Sequence, residues 1–187
     1  RYPYWATQGM DILINGMKTR VNLEPGSFVR IPGTWKSGDI IKVKMPFSLR
    51  LEAMPDDSNR VAVMYGPLVL AGDLGPEEDP AAKDPMYVPI LLTDNRDPSN
   101  WLEPVSEKPN TFNIVEIGRP RNVTLRPFYQ IYERRYTVYW DLFDEENWTK
   151  REIEYQANIE RKKKIEEMTI DFVQLGEMQP LRYSLKG

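Results

Sequence analysis

Ile12, Leu13 and Ile14 run up to Asn15-Gly16, and Met17-Lys18-Thr19-Arg20-Val21 leads away from it. Asn-Gly supplies the two positive φ angles of a type I′ turn, so the pattern predicts a β-hairpin. Further on, Ile41, Val43 and Met45 alternate with Lys42 and Lys44, and Phe47, Leu49, Leu51 and Ala53 alternate with Ser48, Arg50 and Glu52. A period of two gives each run one apolar and one polar face. Pro46 stands between the two runs, where a missing N–H and a fixed φ predict a corner rather than one continuous central strand. Val61-Ala62-Val63-Met64-Tyr65 and Leu68-Val69-Leu70-Ala71 flank Gly66-Pro67 without polar alternation, which predicts strands buried deep in a two-sheet stack.

From Gly72 to Pro89 the chain turns to Gly, Pro, Asp and Glu, including Gly75-Pro76-Glu77-Glu78-Asp79-Pro80. Such a stretch buries too little apolar area to fold alone, so it is expected to be a linker or long loop over 73–89. Short β-branched and aromatic runs resume at Met86 to Leu92, Thr111 to Ile117, Val123 to Phe128 and Tyr136 to Phe143. Between Asp144 and Met168 there is no Gly or Pro, and Thr149 and Glu152 have capping-box spacing, which predicts a helix over about 145–168. Its apolar residues form only a thin stripe, so most of its circumference is expected to be solvated. The expected fold is mainly β: an antiparallel β-sandwich over 1–72, then a second β unit over 90–187 carrying one long C-terminal helix. The opening Arg1-Tyr2-Pro3-Tyr4-Trp5 reads as a strand cut from a longer chain.

Charge and composition narrow the chemistry. The 187 residues hold 25 basic and 28 acidic side chains, a net charge of -3, which supplies no cationic field for nucleic acid or an anionic membrane surface. No apolar run approaches the roughly 20 residues that span a bilayer. There is no Cys and no His, which removes disulfides, thiol catalysis, Cys-based zinc sites and the commonest general base. Catalysis would have to rest on carboxylates, Lys or Tyr.

Carboxylates group at Asp56-Asp57, Glu77-Glu78-Asp79, Asp94/Asp97 and Asp141/Asp144/Glu145/Glu146. A pair held at the right separation hydrolyses glycosides, and several oxygens together bind calcium. These groups lie in turns and at a helix start, where turn formation and the helix dipole already account for them. Five tryptophans and ten tyrosines offer rings that can lie against a sugar face, and Trp35 and Trp101 are the candidate sugar contacts. The competing reading is packing, with Tyr136, Val138 and Trp140 sharing one strand face. Lys162-Lys163-Lys164 is neutralised by Glu160, Glu166 and Glu167, as on a solvated helix face. Asn122-Val123-Thr124 and Asn147-Trp148-Thr149 match the glycosylation sequon. No catalytic, cofactor-binding or metal-binding residue is assigned.

Several stretches, in order, resemble the region downstream of the catalytic barrel in β-L-arabinofuranosidases of glycoside hydrolase family 127. They are RYPYWAT from Arg1, ILINGMKTR around Asn15-Gly16, FVRIPGTWKSGDIIKVKMPFSLR from Phe28, VAVMYGPLVLAG from Val61, PFYQIYERRYTVYW from Pro127 and TIDFVQLGEMQP from Thr169. Tyr132 stands where the resemblance leads one to expect His. The resemblance implies a parent enzyme with an (α/α)6 barrel followed by β-sandwich domains, cleaving L-arabinofuranose or related sugars from plant glycans, and exported to the periplasm or beyond. It implies zinc only in that barrel, held by Cys residues and a Glu, none of which carries over to this chain. The resulting expectation is a non-catalytic β-sandwich fragment that buttresses an absent barrel. The alternative is an independent carbohydrate-binding module, and a third reading is a protein-interaction domain using the charged helix.

Overall fold

The structure is a computed structural model that describes residues 1–21, 24–78 and 89–168. It divides into two compact units, Arg1–Asp144 and Glu145–Gly187. In the first unit, β1 (Asp11–Ile14), β2 (Met17–Lys18) and β3 (Ile41–Lys44) form a small antiparallel sheet in the order β2-β1-β3. Asn15 and Gly16 take φ of 47° and 84°, as the predicted turn requires. The Asn15 side chain also clamps the corner before β3. Its amide donates to Asp39 Oδ1 at 2.9 Å, and its Oδ1 accepts from the Ile40 N–H at 2.9 Å.

Residues directly opposite one another in an antiparallel pair share a face. The register Ile12↔Val43, Ile14↔Ile41 and Ile14↔Met17 therefore puts five apolar side chains on one side of the small sheet. Asp11, Lys18, Lys42 and Lys44 occupy the other, where Lys18 Nζ lies 2.5 Å from Asp11 Oδ1. The expected faces are present, but the apolar one is only partly covered. Ile12 is buried, while Ile41, Val43 and Met17 are exposed.

Ten strands form the larger sheet. They are β4 (Leu49–Ala53), β5 (Arg60–Tyr65), β6 (Leu68–Gly75), β7 (Ile90–Leu92), β8 (Leu102–Pro104), β9 (Phe112–Ile114), β10 (Gly118–Arg119), β11 (Thr124–Pro127), β12 (Arg135–Thr137) and β13 (Tyr139–Phe143). The order is β10-β7-β13-β5-β6-β11-β9-β8, with β4 also on β5 and β12 also on β6. All pairs are antiparallel except β13 with β7, where Leu142 faces Leu91 and Phe143 faces Leu92 in parallel. Pro46 lies between β3 and β4, in different sheets, so the expected corner is real.

The expected division between 1–72 and 90–187 does not separate strands. β5 pairs with β13, and β6 with β11 and β12, so segments from both sides of the Gly/Pro/acidic stretch build one sheet. The reason lies in β5 and β6 themselves. Strands apolar on both faces need partners and cover that the first 72 residues do not contain. Asp73 to Gly75, expected to begin the linker, instead extend β6. Residues 79–88 of that stretch lie outside the described residues.

The core gathers Val61, Val63, Leu70, Leu91, Trp101, Ile114, Leu125 and Trp140 with their neighbours. Trp140 is fully buried, and its ring lies over Gly72, where an added Cβ would come within 2.5 Å of Cζ2. The expectation that Tyr136 and Trp140 share a strand face fails because the ladder breaks at Val138, between β12 and β13. Tyr136 is consequently half-exposed. A chain of edge-to-face rings runs from the N-terminal segment into this sheet, Trp5 to Phe47 at 5.3 Å, Phe47 to Tyr65 at 5.5 Å and Tyr65 to Phe112 at 5.0 Å.

The second unit is described through α1 (Glu145–Met168), none of whose residues is buried. Thr149 does not cap it. It lies one turn inside, with its hydroxyl donating back to the Glu145 carbonyl at 2.8 Å, while Glu145 and Glu146 supply the favourable negative charge of the first turn. The TIDFVQLGEMQP stretch from Thr169 lies outside the described residues. Among the described residues no helix is long and apolar enough to cross a membrane.

Candidate functional site

A carboxylate occurs within the otherwise apolar β6. Asp73 faces Tyr136 across the β6–β12 ladder, and the β6–β11 register, Gly72 with Leu125 and Ala71 with Arg126, brings Arg126 alongside. Its side chain is 6% exposed. Oδ1 accepts from Arg134 Nε at 2.8 Å and from the Gly75 N–H at 3.1 Å, and Arg126 Nη2 lies 3.4 Å from Oδ2. Burial acts to raise the pKa of this carboxyl. The Arg134 and Gly75 hydrogen bonds, with the positive charges of Arg134 and Arg126, outweigh it and hold Asp73 below the ordinary carboxylate range.

Around this ion pair opens a cavity of about 290 Å³, lined by Arg121, Asn122 and Thr124 as well as by Asp73, Arg126 and Arg134. Asn122 Oδ1 accepts from the Gly118 N–H at 2.9 Å, and Thr124 Oγ1 donates to Asn113 Oδ1 at 2.8 Å. Outside the cavity lining but across the ladder from Asp73, Tyr136 packs on Phe128 with ring centroids 5.1 Å apart, both rings half-exposed. A lining of arginines, an amide and a hydroxyl suits recognition of a small polar ligand better than bond cleavage.

The expected site residues lie elsewhere. Trp101 is 5% exposed, belongs to the core, and donates its Nε1 proton to the Asn95 carbonyl at 3.0 Å. A ring so enclosed cannot stack on a sugar. Trp35 is 45% exposed in the corner before β3, and neither Trp lines the charged cavity. The carboxylates largely serve turns and surface pairs. Asp57 accepts from the Asn59 N–H at 2.9 Å, Asp97 caps the 3₁₀ turn Pro98–Asn100 by accepting from Ser99 N and Oγ, and Asp141 pairs with Arg60 at 2.7 Å. Hydrogen bonds from Ser99 hold Asp97 below the ordinary carboxylate range.

No three acidic side chains converge among the described residues in a metal-ligating group. The sequence has no Cys or His that could serve as a zinc ligand. Sequence reasoning passed over Asp73 because it falls at the start of the expected linker. The available signal was a lone carboxylate next to the apolar run Leu68 to Ala71, with Arg126 inside one later β run and Arg134 just before another.

Comparison with known proteins bears on the rest. Residues 1–47 match the family described as the beta-L-arabinofuranosidase, GH127 middle domain. The chain carries a GH127-like region. Residues 81–142 match a second family, described as a domain of unknown function. Strands β4 to β6, between the two matches, hold the GH127-like segment and the later strands in one unit. Among solved structures, a glycoside hydrolase is similar over 76% of this chain and 27% of its own, at 19% identity and a TM-score of 0.51. A GH127 beta-arabinofuranosidase is similar over 72% of this chain and 23% of its own, at 20% identity and a TM-score of 0.45. The chain thus spans about a quarter of the length of these structures. A search of the curated proteins found no match.

Proposed function

We propose that the GH127-like chain is the non-catalytic β-domain region of a longer glycoside hydrolase, where it buttresses an (α/α)6 catalytic barrel that acts on L-arabinofuranose-containing or related plant glycans. The match of residues 1–47 to a GH127 middle domain carries this reading. The quarter-length coverage of the similar glycoside hydrolase supports a longer parent. Among the described carboxylates, Asp57 serves a turn, Asp97 a cap, and Asp73 and Asp141 ion pairs, roles that fit a supporting domain. Zinc and its ligands would belong to the barrel.

The test compares the 187-residue chain with the protein encoded by its complete reading frame, both assayed on an aryl β-L-arabinofuranoside. Turnover is expected from the longer protein and from none of the preparations of the chain alone. Turnover by the chain alone, or a reading frame without an upstream barrel, would overturn the reading.

A further inference from the structure

The cavity beside Asp73 has a donor balance that a buttress does not need. Arg126 and Arg134 each carry five N–H donors, of which the contacts to Asp73 engage only part. Asn122 spends its oxygen on the Gly118 N–H, so its amide turns the two-proton end elsewhere. Asp73 is meanwhile occupied by two arginines and a backbone N–H. Arg126 and Arg134 share that one carboxylate, while Arg121 turns its Nη2 to the Leu74 carbonyl at 3.4 Å. A ligand that completes such a lining is itself an acceptor and an anion, and planar guanidinium forks match a carboxylate.

Size and neighbourhood narrow the ligand further. About 290 Å³ is room for a group of monosaccharide size, larger than a bare inorganic anion needs. The half-exposed Tyr136 ring, across the ladder from Asp73 and packed on Phe128, stands beside the cavity rather than in its lining and offers a flat apolar surface there. We infer that this cavity is a binding site for a carboxylate-bearing sugar, a uronate, whose carboxylate meets Arg126 and Arg134 while its ring lies toward Tyr136. The site goes beyond the buttressing role and needs no barrel, so ligand titration of this chain and turnover by the longer protein can fail independently.

The full chain is titrated with galacturonate and glucuronate, with galactose and glucose as neutral counterparts, and with inorganic phosphate as an anion without a ring, followed by NMR shift changes. Either uronate is expected to saturate in the millimolar range, about tenfold or more tighter than its neutral counterpart, with phosphate weaker than the uronate. Raising the salt should weaken uronate binding, because the recognition is ionic. Arg126→Met should weaken the uronate about tenfold, and Tyr136→Ala should weaken the uronate while leaving phosphate unchanged. Absence of saturation by both uronates, equal binding of a neutral hexose, or phosphate as tight as the uronate would each overturn the assignment. The wild-type selectivity decides this even if a variant fails to fold, and a folded Arg126→Met with unchanged uronate affinity would also overturn it.

Discussion

In the three-stranded sheet Ile41 and Val43 keep 47% and 45% of their surface open, although they line up with buried Ile12 on one face. Val61, Val63 and Leu70 of the larger sheet keep none. Both regions have strands of the right composition and register. What differs is the packing: β5 and β6 are flanked by β11 to β13 from far along the chain, and their side chains gather with Leu91, Trp101, Ile114, Leu125 and Trp140 in one core. Alternation decides which face is apolar, and packing with distant segments decides whether that face is dry.

Substitutions that remove side chains from the two sheets should therefore differ sharply. Trp140→Ala empties the center of the larger sheet and should lower stability by about 3 to 5 kcal/mol in urea denaturation. A loss below about 1 kcal/mol would erase the contrast. The joint between the regions is the next largest effect. Gly66 has φ of 54°, and an added Cβ would come within 2.5 Å of Phe47 Cγ. Gly66→Ala should cost about 2 to 3 kcal/mol, combining left-handed strain with displacement of the ring.

Asp73→Asn asks whether polar burial in the larger sheet behaves as its apolar burial does. Removing the charge leaves Arg134 and Arg126 without their shared partner and should cost about 2 kcal/mol near pH 7. Because folding lowers the pKa of Asp73, its contribution is complete above the unfolded carboxyl pKa and is lost as pH falls through the folded value. The stability gap between wild type and Asp73→Asn should therefore close as denaturation curves are taken from pH 7 toward strong acid. A gap that stays constant would separate the cost from ionisation. Val43→Ala should have the smallest effect, below about 1 kcal/mol, since nearly half its surface is already wet.

The local features were the legible ones. Asn15-Gly16 contained its own turn, Pro46 its corner, Gly66-Pro67 its reversal, and the Gly- and Pro-free run after Asp144 its helix. Each is decided by backbone preferences acting over a few residues. The boundary at 73–89 misled because composition reports whether a stretch can fold alone, whereas β5 and β6 are completed from beyond it. Trp101 was a plausible sugar platform only while its neighbours were unknown; in the fold it is core, with its N–H taken by Asn95. The charged cavity was out of reach for the same reason, since Asp73 and Arg134 are 61 residues apart in sequence and meet only once β12 pairs with β6.

The Arg60–Asp141 contact that accompanies β5–β13 pairing joins residues 81 apart in sequence. In time, this places the two sheets on different clocks. The Asn15-Gly16 hairpin closes over a handful of residues, an event of about 1 to 10 μs, while β5 waits for a strand made much later in synthesis and for a far larger loop to close. During that interval the doubly apolar β5 and β6 are the surfaces a nascent chain most needs shielded, and slow folding is expected to show first as their association between molecules rather than as any defect in the hairpin.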